Sequence, residues 1–135
     1  MIVLDSSAAV EWLLGLPLAE AVAERIVSAD SVHAPALIDV EVAHVVRRYA
    51  ALGEIDPDRG ERALRALADL DAVRYTHEAL LPLIWKLRHN LTAYDATFVA
   101  LAAALDAPLI TLDAAVAHAP WPHQTIEPVR IEVLR

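Results

Sequence analysis

The sequence predicts an α/β fold, a short-stranded parallel sheet flanked by helices on both faces, and three observations predict it. At 135 residues the chain has room for one core, a single domain over 1–135, because domains cluster near ~100–150 residues. Apolar residues make up 57% and charged ones 22%, enough buried surface to offset the entropy of ordering the chain. Short continuous apolar runs alternate with amphipathic helical stretches, the pattern of parallel strands joined by right-handed helical crossovers.

Taken in order, Ile2-Val3-Leu4 is an apolar run suited to a strand covered on both faces, and Asp5-Ser6-Ser7 supplies helix-starting chemistry for a helix through Leu14. Gly15-Leu16-Pro17 stops it. A second helix spans about Pro17 to Ser28, and Ser31 to Pro35 returns as a strand, with Pro35 suited to the first turn of the next helix. That helix, about Ala36 to Leu52, gathers Ile38, Val42, Val45, Val46, Tyr49 and Leu52 on one arc of a 3.6-residue wheel and ends at Gly53. Asp56-Pro57 restarts a helix to about Leu70, Val73 to Tyr75 forms a third strand, and Thr76 opens a helix to His89. Thr92 opens a very apolar helix to Leu105, Pro108 to Thr111 is a fourth strand, and Asp113 to His118 a short helix. The tail from Trp121 reads as loop, with an edge strand around Gln124 to Ile126.

Composition removes several function classes. Without cysteine there is no disulfide framework, thiolate zinc site, iron–sulfur cluster or Cys nucleophile. The longest largely apolar stretch, Ala96 to Leu105, is about half the ~20 residues that a membrane helix needs. No membrane helix is therefore expected, and since no basic segment precedes Ile2 no secretory signal is expected either, so the expected compartment is the cytoplasm. The net charge of −8 argues against a general nucleic-acid coat, since phosphate affinity comes mainly from clustered cations.

Open parallel sheets carry their sites beyond the carboxyl ends of the strands. Asp5 directly follows the first strand and Asp113 lies two residues beyond Thr111 at the end of the fourth. Asp95 falls in the first turn of the apolar helix, and Glu41 in the helix after the second strand. Four acids from four segments can thus converge at one edge. Packed that closely they raise one another's pKa values unless cations neutralise them, so the cluster predicts a metal. Oxygen-only donors suit Mg²⁺ or Mn²⁺, hard ions that bridge carboxylates to phosphate oxygens, and phosphodiester cleavage is the chemistry that follows. Each acid also has a plainer reading. Asp5 and Asp113 can serve as N-caps, Thr92-Ala93-Tyr94-Asp95 matches a capping box, and Glu41 can be a helix-surface acid beside His44 and Arg48. Periodicity does not choose between Glu41 and Asp39 on the opposite margin of that helix.

The residues resemble a known family. Ile2-Val3-Leu4-Asp5-Ser6-Ser7, Ala34-Pro35 followed by Asp39-Val40-Glu41-Val42, Leu91-Thr92-Ala93-Tyr94-Asp95-Ala96 and Leu109-Ile110-Thr111-Leu112-Asp113 are similar to blocks of the PIN-domain ribonucleases, specifically the VapC toxins of type II toxin–antitoxin pairs. The likeness spans essentially the whole chain. It implies a PIN-like domain in which Asp5, Glu41, Asp95 and Asp113 hold Mg²⁺ or Mn²⁺, and it selects Glu41 over Asp39. Asp5 and Asp95 would be the direct ligands, with Glu41 and Asp113 acting through water or on a second ion. Ser7 and Thr111 match hydroxyl positions that support the acids. The resemblance further implies an endoribonuclease that cuts RNA with metal-activated water and so inhibits translation, a small VapB-type antitoxin as partner, and a homodimer within a higher toxin–antitoxin complex. Ala114-Ala115 stand where relatives often place a basic residue that meets phosphate.

Substrate contacts are sought among the arginines. Arg59, Arg62 and Arg65 recur every three residues on one helix and could track a phosphate backbone, although Asp58 with Arg62 and Glu61 with Arg65 also have the spacing of ordinary surface pairs. Arg48 lies near enough to Glu41 in sequence to approach either the acids or the RNA. His118, Trp121 and His123 receive no role. A phosphoacceptor receiver domain would need a lysine beside the acids, and the one lysine, Lys86, lies mid-helix. An aspartyl phosphatase would need an acid where Ser7 stands, and no serine sits in a nucleophile elbow. The competing reading is a catalytically silent module of the same fold that binds RNA or protein.

Overall fold

The computed structural model describes residues 1–119 and 129–135. Among these, five strands form one all-parallel sheet in the order β3-β2-β1-β4-β5. The strands are β1 (Ile2–Leu4), β2 (Val32–Pro35), β3 (Ala72–Tyr75), β4 (Leu109–Thr111) and β5 (Ile131–Val133). Seven α-helices connect them: α1 (Ser6–Leu13), α2 (Ala19–Ser28), α3 (Leu37–Ala51), α4 (Pro57–Asp69), α5 (Leu81–Lys86), α6 (Ala93–Leu105) and α7 (Ala114–Ala117). The α/β class and the parallel sheet are as expected from the alternation.

The central strand shows why the sequence folds this way. Ile2, Val3 and Leu4 are all buried although alternate side chains point to opposite faces, so both faces of the sheet are covered. The apolar helix α6 packs on β1, β2 and β4 and is buried from Ala96 to Ala102. Helix α1 packs against β4, α2 and α3, and α4 lies over α3. Strand order reverses at β1 and β4, where chain crossovers leave in opposite directions and open a crevice above the strand ends.

Several boundaries differ from the expectation. Pro35 closes β2 rather than opening a helix, and the next amide, on Ala36, continues the β2–β3 ladder to the Tyr75 carbonyl at 2.8 Å. Proline is tolerated at that register because the ladder does not require its missing N–H. The helix expected from Thr76 to His89 is instead a 3-10 turn over Glu78–Leu80 followed by α5. Pro82 has no N–H to continue a helix begun earlier, so the chain restarts with proline in the first turn. The second helix begins at Ala19, not Pro17. Leu52, expected in the core, is 67% exposed because α3 ends at Ala51 and the arc runs past the packed face. The expected edge strand at 124–126 lies outside the described residues. The strand the sequence reading did not anticipate is β5, which joins β4 in parallel through Leu109–Ile131 and Thr111–Val133.

Candidate active site

Asp5 is the N-cap of α1, placed where β1 ends, and its Oδ1 accepts the Ser7 amide at 2.8 Å. Its Oδ2 accepts the Thr111 hydroxyl in a short hydrogen bond. Thr111 is fully buried at the end of β4, and its Oγ1 also accepts the Asp113 amide at 3.0 Å. The Ser7 hydroxyl oxygen accepts the Leu112 amide at 3.0 Å and lies 3.3 Å from Thr111 Oγ1. Thr111 spends its one proton on the Asp5 carboxylate, so Ser7 is the donor between the two hydroxyls. Proton donation thus runs from Ser7 to Thr111 to Asp5, stitching the ends of β1 and β4 together across the switch point.

The other acids reach the same place from separate elements. Glu41, on the second turn of α3, accepts the Ser6 hydroxyl at 2.8 Å. Asp95 sits in the first turn of α6, where Thr92 caps its amide at 3.1 Å. Asp113 is the N-cap of α7 and accepts the Ala115 amide at 2.9 Å. The capping readings therefore hold for Asp5 and Asp113, and they coexist with a shared cleft. That cleft, about 370 Å³, is lined by Asp5, Glu41, Asp95 and Asp113 together with Ser6, Ser7, Val10, Glu11, Leu16, Val45, Tyr49 and Leu112. Asp39 lies elsewhere: Arg74 binds it through Nε at 2.8 and 3.0 Å, and the pair lines a separate groove between α3 and α4.

Burial and mutual repulsion set the electrostatics. Burial pushes the Asp5 carboxyl above its ordinary range, hydrogen bonds from Thr111 and Ser7 pull back, and the charges of Asp95 and Asp113 push it further up. Glu41 is raised by burial and by Asp5 and Asp95, against the Ser6 hydrogen bond. Asp95 is raised by burial and then by Asp113. None of the ion pairs among the described residues involves these four acids. Among the described residues the site is therefore a patch of like charge with no protein counter-ion. The donor set, all carboxylate and hydroxyl oxygen, fits a hard divalent cation. The side chains do not, by themselves, close into a cage: among the described residues no three His, Asp or Glu side chains stand in an arrangement that encloses an ion.

Arg48, Arg59 and Arg62 do not line the cleft. Arg48 and Arg62 are exposed, and the Arg59 guanidinium donates to the Leu14 carbonyl at the end of α1. Arg65 pairs with Glu61 at 2.7 Å, the ordinary surface pair its spacing allowed. His118 hydrogen-bonds the Ala114 carbonyl at 2.6 Å, and Trp121 and His123 lie outside the described residues. Sequence reasoning missed Ser6, which holds Glu41, and Glu11 and Tyr49 in the cleft wall. The signal for Tyr49 was its position two helical turns beyond Glu41.

An all-parallel sheet with four carboxylates over its switch point defines an α/β domain with an acidic cleft. The comparisons give that class a family. A model of the PIN domain matches residues 2–122. Ribonuclease VapC1 of Mycobacterium tuberculosis is 42% identical over 87% of this chain and 90% of its own length. Ribonuclease VapC12 of the same organism is 37% identical over 94% and 98%. The crystal structure of Mycobacterium tuberculosis VapC20, described as a Sarcin-Ricin loop cleaving toxin, superposes with a TM-score of 0.67 over 87% of this chain and 93% of that one. At 15% identity that likeness bears on the fold alone. The chain belongs to the PIN-domain family, among the VapC ribonucleases.

Proposed function

We propose that this protein is a divalent-metal-dependent endoribonuclease and the toxin of a VapBC-type toxin–antitoxin pair. The observation that carries the reading is the meeting of Asp5, Glu41, Asp95 and Asp113 in one cleft with no cationic side chain among its described lining residues, in a chain 42% identical to a VapC ribonuclease. These four side chains would hold Mg²⁺ or Mn²⁺. A cation bound there supplies Lewis acidity, lowering the pKa of an attacking water and neutralising charge on the phosphate. The protein's own part is orientation. Ser6 fixes one Glu41 oxygen, Thr111 and the Ser7 amide fix both Asp5 oxygens, and the helix caps hold Asp95 and Asp113 at the cleft rim. With donors locked this way, little reorganisation remains when charge develops on the phosphate. The raised carboxyls release protons on binding a cation, which ties affinity to pH.

RNA is the substrate of this reading, and affinity should be modest and salt-sensitive. Eleven Lys and Arg are still outnumbered by the remaining acids once these four are set aside, so a cation in the cleft must supply much of the attraction. The same reading carries a VapB-type antitoxin and a homodimer. Exposed Leu81, Trp85 and Tyr94 offer apolar area for such association, with Arg88 stacked 4.4 Å over Trp85. No described helix is long and apolar enough to cross a membrane.

The test is purified protein on total RNA with Mg²⁺ or Mn²⁺, beside a chelated control and Asp5→Asn. Cleavage that needs the metal and Asp5 supports the reading. Cleavage indifferent to chelation overturns the metal, and no cleavage under any condition favours the silent binding module.

A further inference from the structure

The acidic cleft has a second half that the four carboxylates do not explain. Val10 and Leu16 from the α1 side and Val45 and Tyr49 from α3 form a largely apolar wall continuous with the acids, in which the Glu11 carboxylate is engaged by the Leu18 amide at 2.8 Å. Glu41, Val45 and Tyr49 succeed one another at four-residue steps on α3, so the wall begins one helical turn from Glu41. Tyr49 lies eight residues beyond Glu41, about 12 Å along the helix axis at 1.5 Å per residue. That is too far for the ring to touch a phosphate held by the acids and close enough to meet a neighbouring nucleotide. Tyr49 is half-buried, its ring backed by the core, and its hydroxyl makes no hydrogen bond among the described residues.

A wall of this kind does nothing for a phosphodiester, which is charged and hydrated. It does suit a base, whose faces are flat and apolar and whose edge carries polar groups. Unpaired bases stack on aromatic side chains with little regard to sequence, whereas a base locked in a duplex has no free face. We propose that Tyr49, flanked by Val10, Leu16 and Val45, is the stacking platform for an unpaired base flanking the cut phosphate. The proposal rests on the ribonuclease reading for its reaction, but the binding surface can be tested apart from it.

Two measurements use the full-length protein with Mn²⁺ and a short single-stranded RNA of mixed sequence. The first compares kcat and KM for wild type, Tyr49→Ala and Tyr49→Phe. Removing the ring should raise KM about tenfold, the loss of one stacked base, while kcat changes less than about threefold. Phenylalanine, which keeps the ring, should restore most of the lost affinity. The second scans a single abasic position through the RNA. At one position flanking the cut, the abasic substrate should bind wild type about as weakly as the intact RNA binds Tyr49→Ala, and the two losses should not add.

Unchanged KM in Tyr49→Ala overturns the proposal and gives the wall to a protein partner or to packing. Failure of Tyr49→Phe to rescue also overturns it, because a hydroxyl contact and not stacking would then be at work. If Tyr49→Ala does not fold, the abasic scan on wild type decides alone: no sensitive flanking position overturns the platform. If wild type cuts nothing, fluorescence anisotropy of the labelled RNA replaces KM. Binding that weakens in Tyr49→Ala and in the abasic RNA then sustains the platform while the ribonuclease reading falls.

Discussion

Asp5 performs two tasks that pull against each other. As the N-cap of α1 and the acceptor from Thr111 it favours the fold, and as a buried carboxylate facing Asp95 and Asp113 it opposes it. The sign of the pH effect follows from the direction of the shifts. A carboxyl whose native pKa lies above its unfolded value near 3.8 costs nothing while protonated in both states. It destabilises the fold increasingly as pH rises from that value through the raised native one. Asp5, Glu41 and Asp95 all shift this way. Asp95→Asn removes one such charge without removing the Thr92 cap on its amide. In chelator at pH 7 this variant should melt above wild type, with the gap closing toward pH 4. On the proposed role of Asp95 at a metal site, RNA cleavage by the same variant should fall by about 100-fold or more, at least what loss of an outer-shell partner of a metal costs. A lower melting point in chelator would mean that Asp95 is not under repulsion. Asp5, Asp95 and Asp113 were legible as candidates because each sits beside a strand end or a helix start, whereas Glu41, in the second turn of α3, was separated from Asp39 only by the family resemblance. Ser6 was not legible as a partner of Glu41, since nothing local joins residues 35 apart.

At the scale of elements, the cleft depends on how α3 is held. Arg74 of β3 binds Asp39 on α3 and also donates to the Leu67 carbonyl of α4 at 2.8 Å, so one guanidinium ties three elements. Helix α4 approaches α3 at Gly60, where an added Cβ would stand 3.2 Å from Val46 Cγ1 and 3.7 Å from Ile55 Cδ1. Alanine there should be close to neutral, because a contact tight by a few tenths of an ångström offsets the gain in helix propensity of about 1 kcal/mol. Leucine has no room and should cost about 2–3 kcal/mol in urea unfolding, with α3 displaced and activity reduced alongside. A wild-type-like Gly60→Leu would show that this contact does not hold α3. Helices α3, α4 and α6 were readable from caps and periodicity: Asp56 accepts the Arg59 amide at 3.0 Å and Thr92 that of Asp95. The segment from Thr76 to His89 departs from one continuous helix because Pro82 lacks the N–H to carry it through, and β5 leaves no sequence signal because three residues are too few to show a period.

Over the whole molecule, ends of the chain far apart in sequence share the site. Strand β5 shields the outer edge of β4, the strand that carries Thr111, and Arg25 of α2 anchors β5 through a two-point ion pair with Glu132 at 2.9 and 3.0 Å. A cation that binds only the assembled cleft must stabilise the entire fold. Mn²⁺ at about a hundredfold excess over its Kd should add about 2.7 kcal/mol, seen as a rise in melting temperature. The rise should be larger at pH 8 than at pH 5, because the raised carboxyls must first release protons, and it should be much reduced in Asp5→Asn. No rise for wild type would remove the metal from the cleft. Local sequence alone settles the parallel α/β class and which acids follow which strands, because strand runs, caps and turns are written in neighbouring residues. It takes the packed fold to put Glu41 and not Asp39 at the cleft, to set Ser6 and Thr111 against the acids, and to lay an apolar wall beside them. Those outcomes depend on contacts between residues 35 to 106 positions apart, whose geometry the chain acquires only when its elements pack.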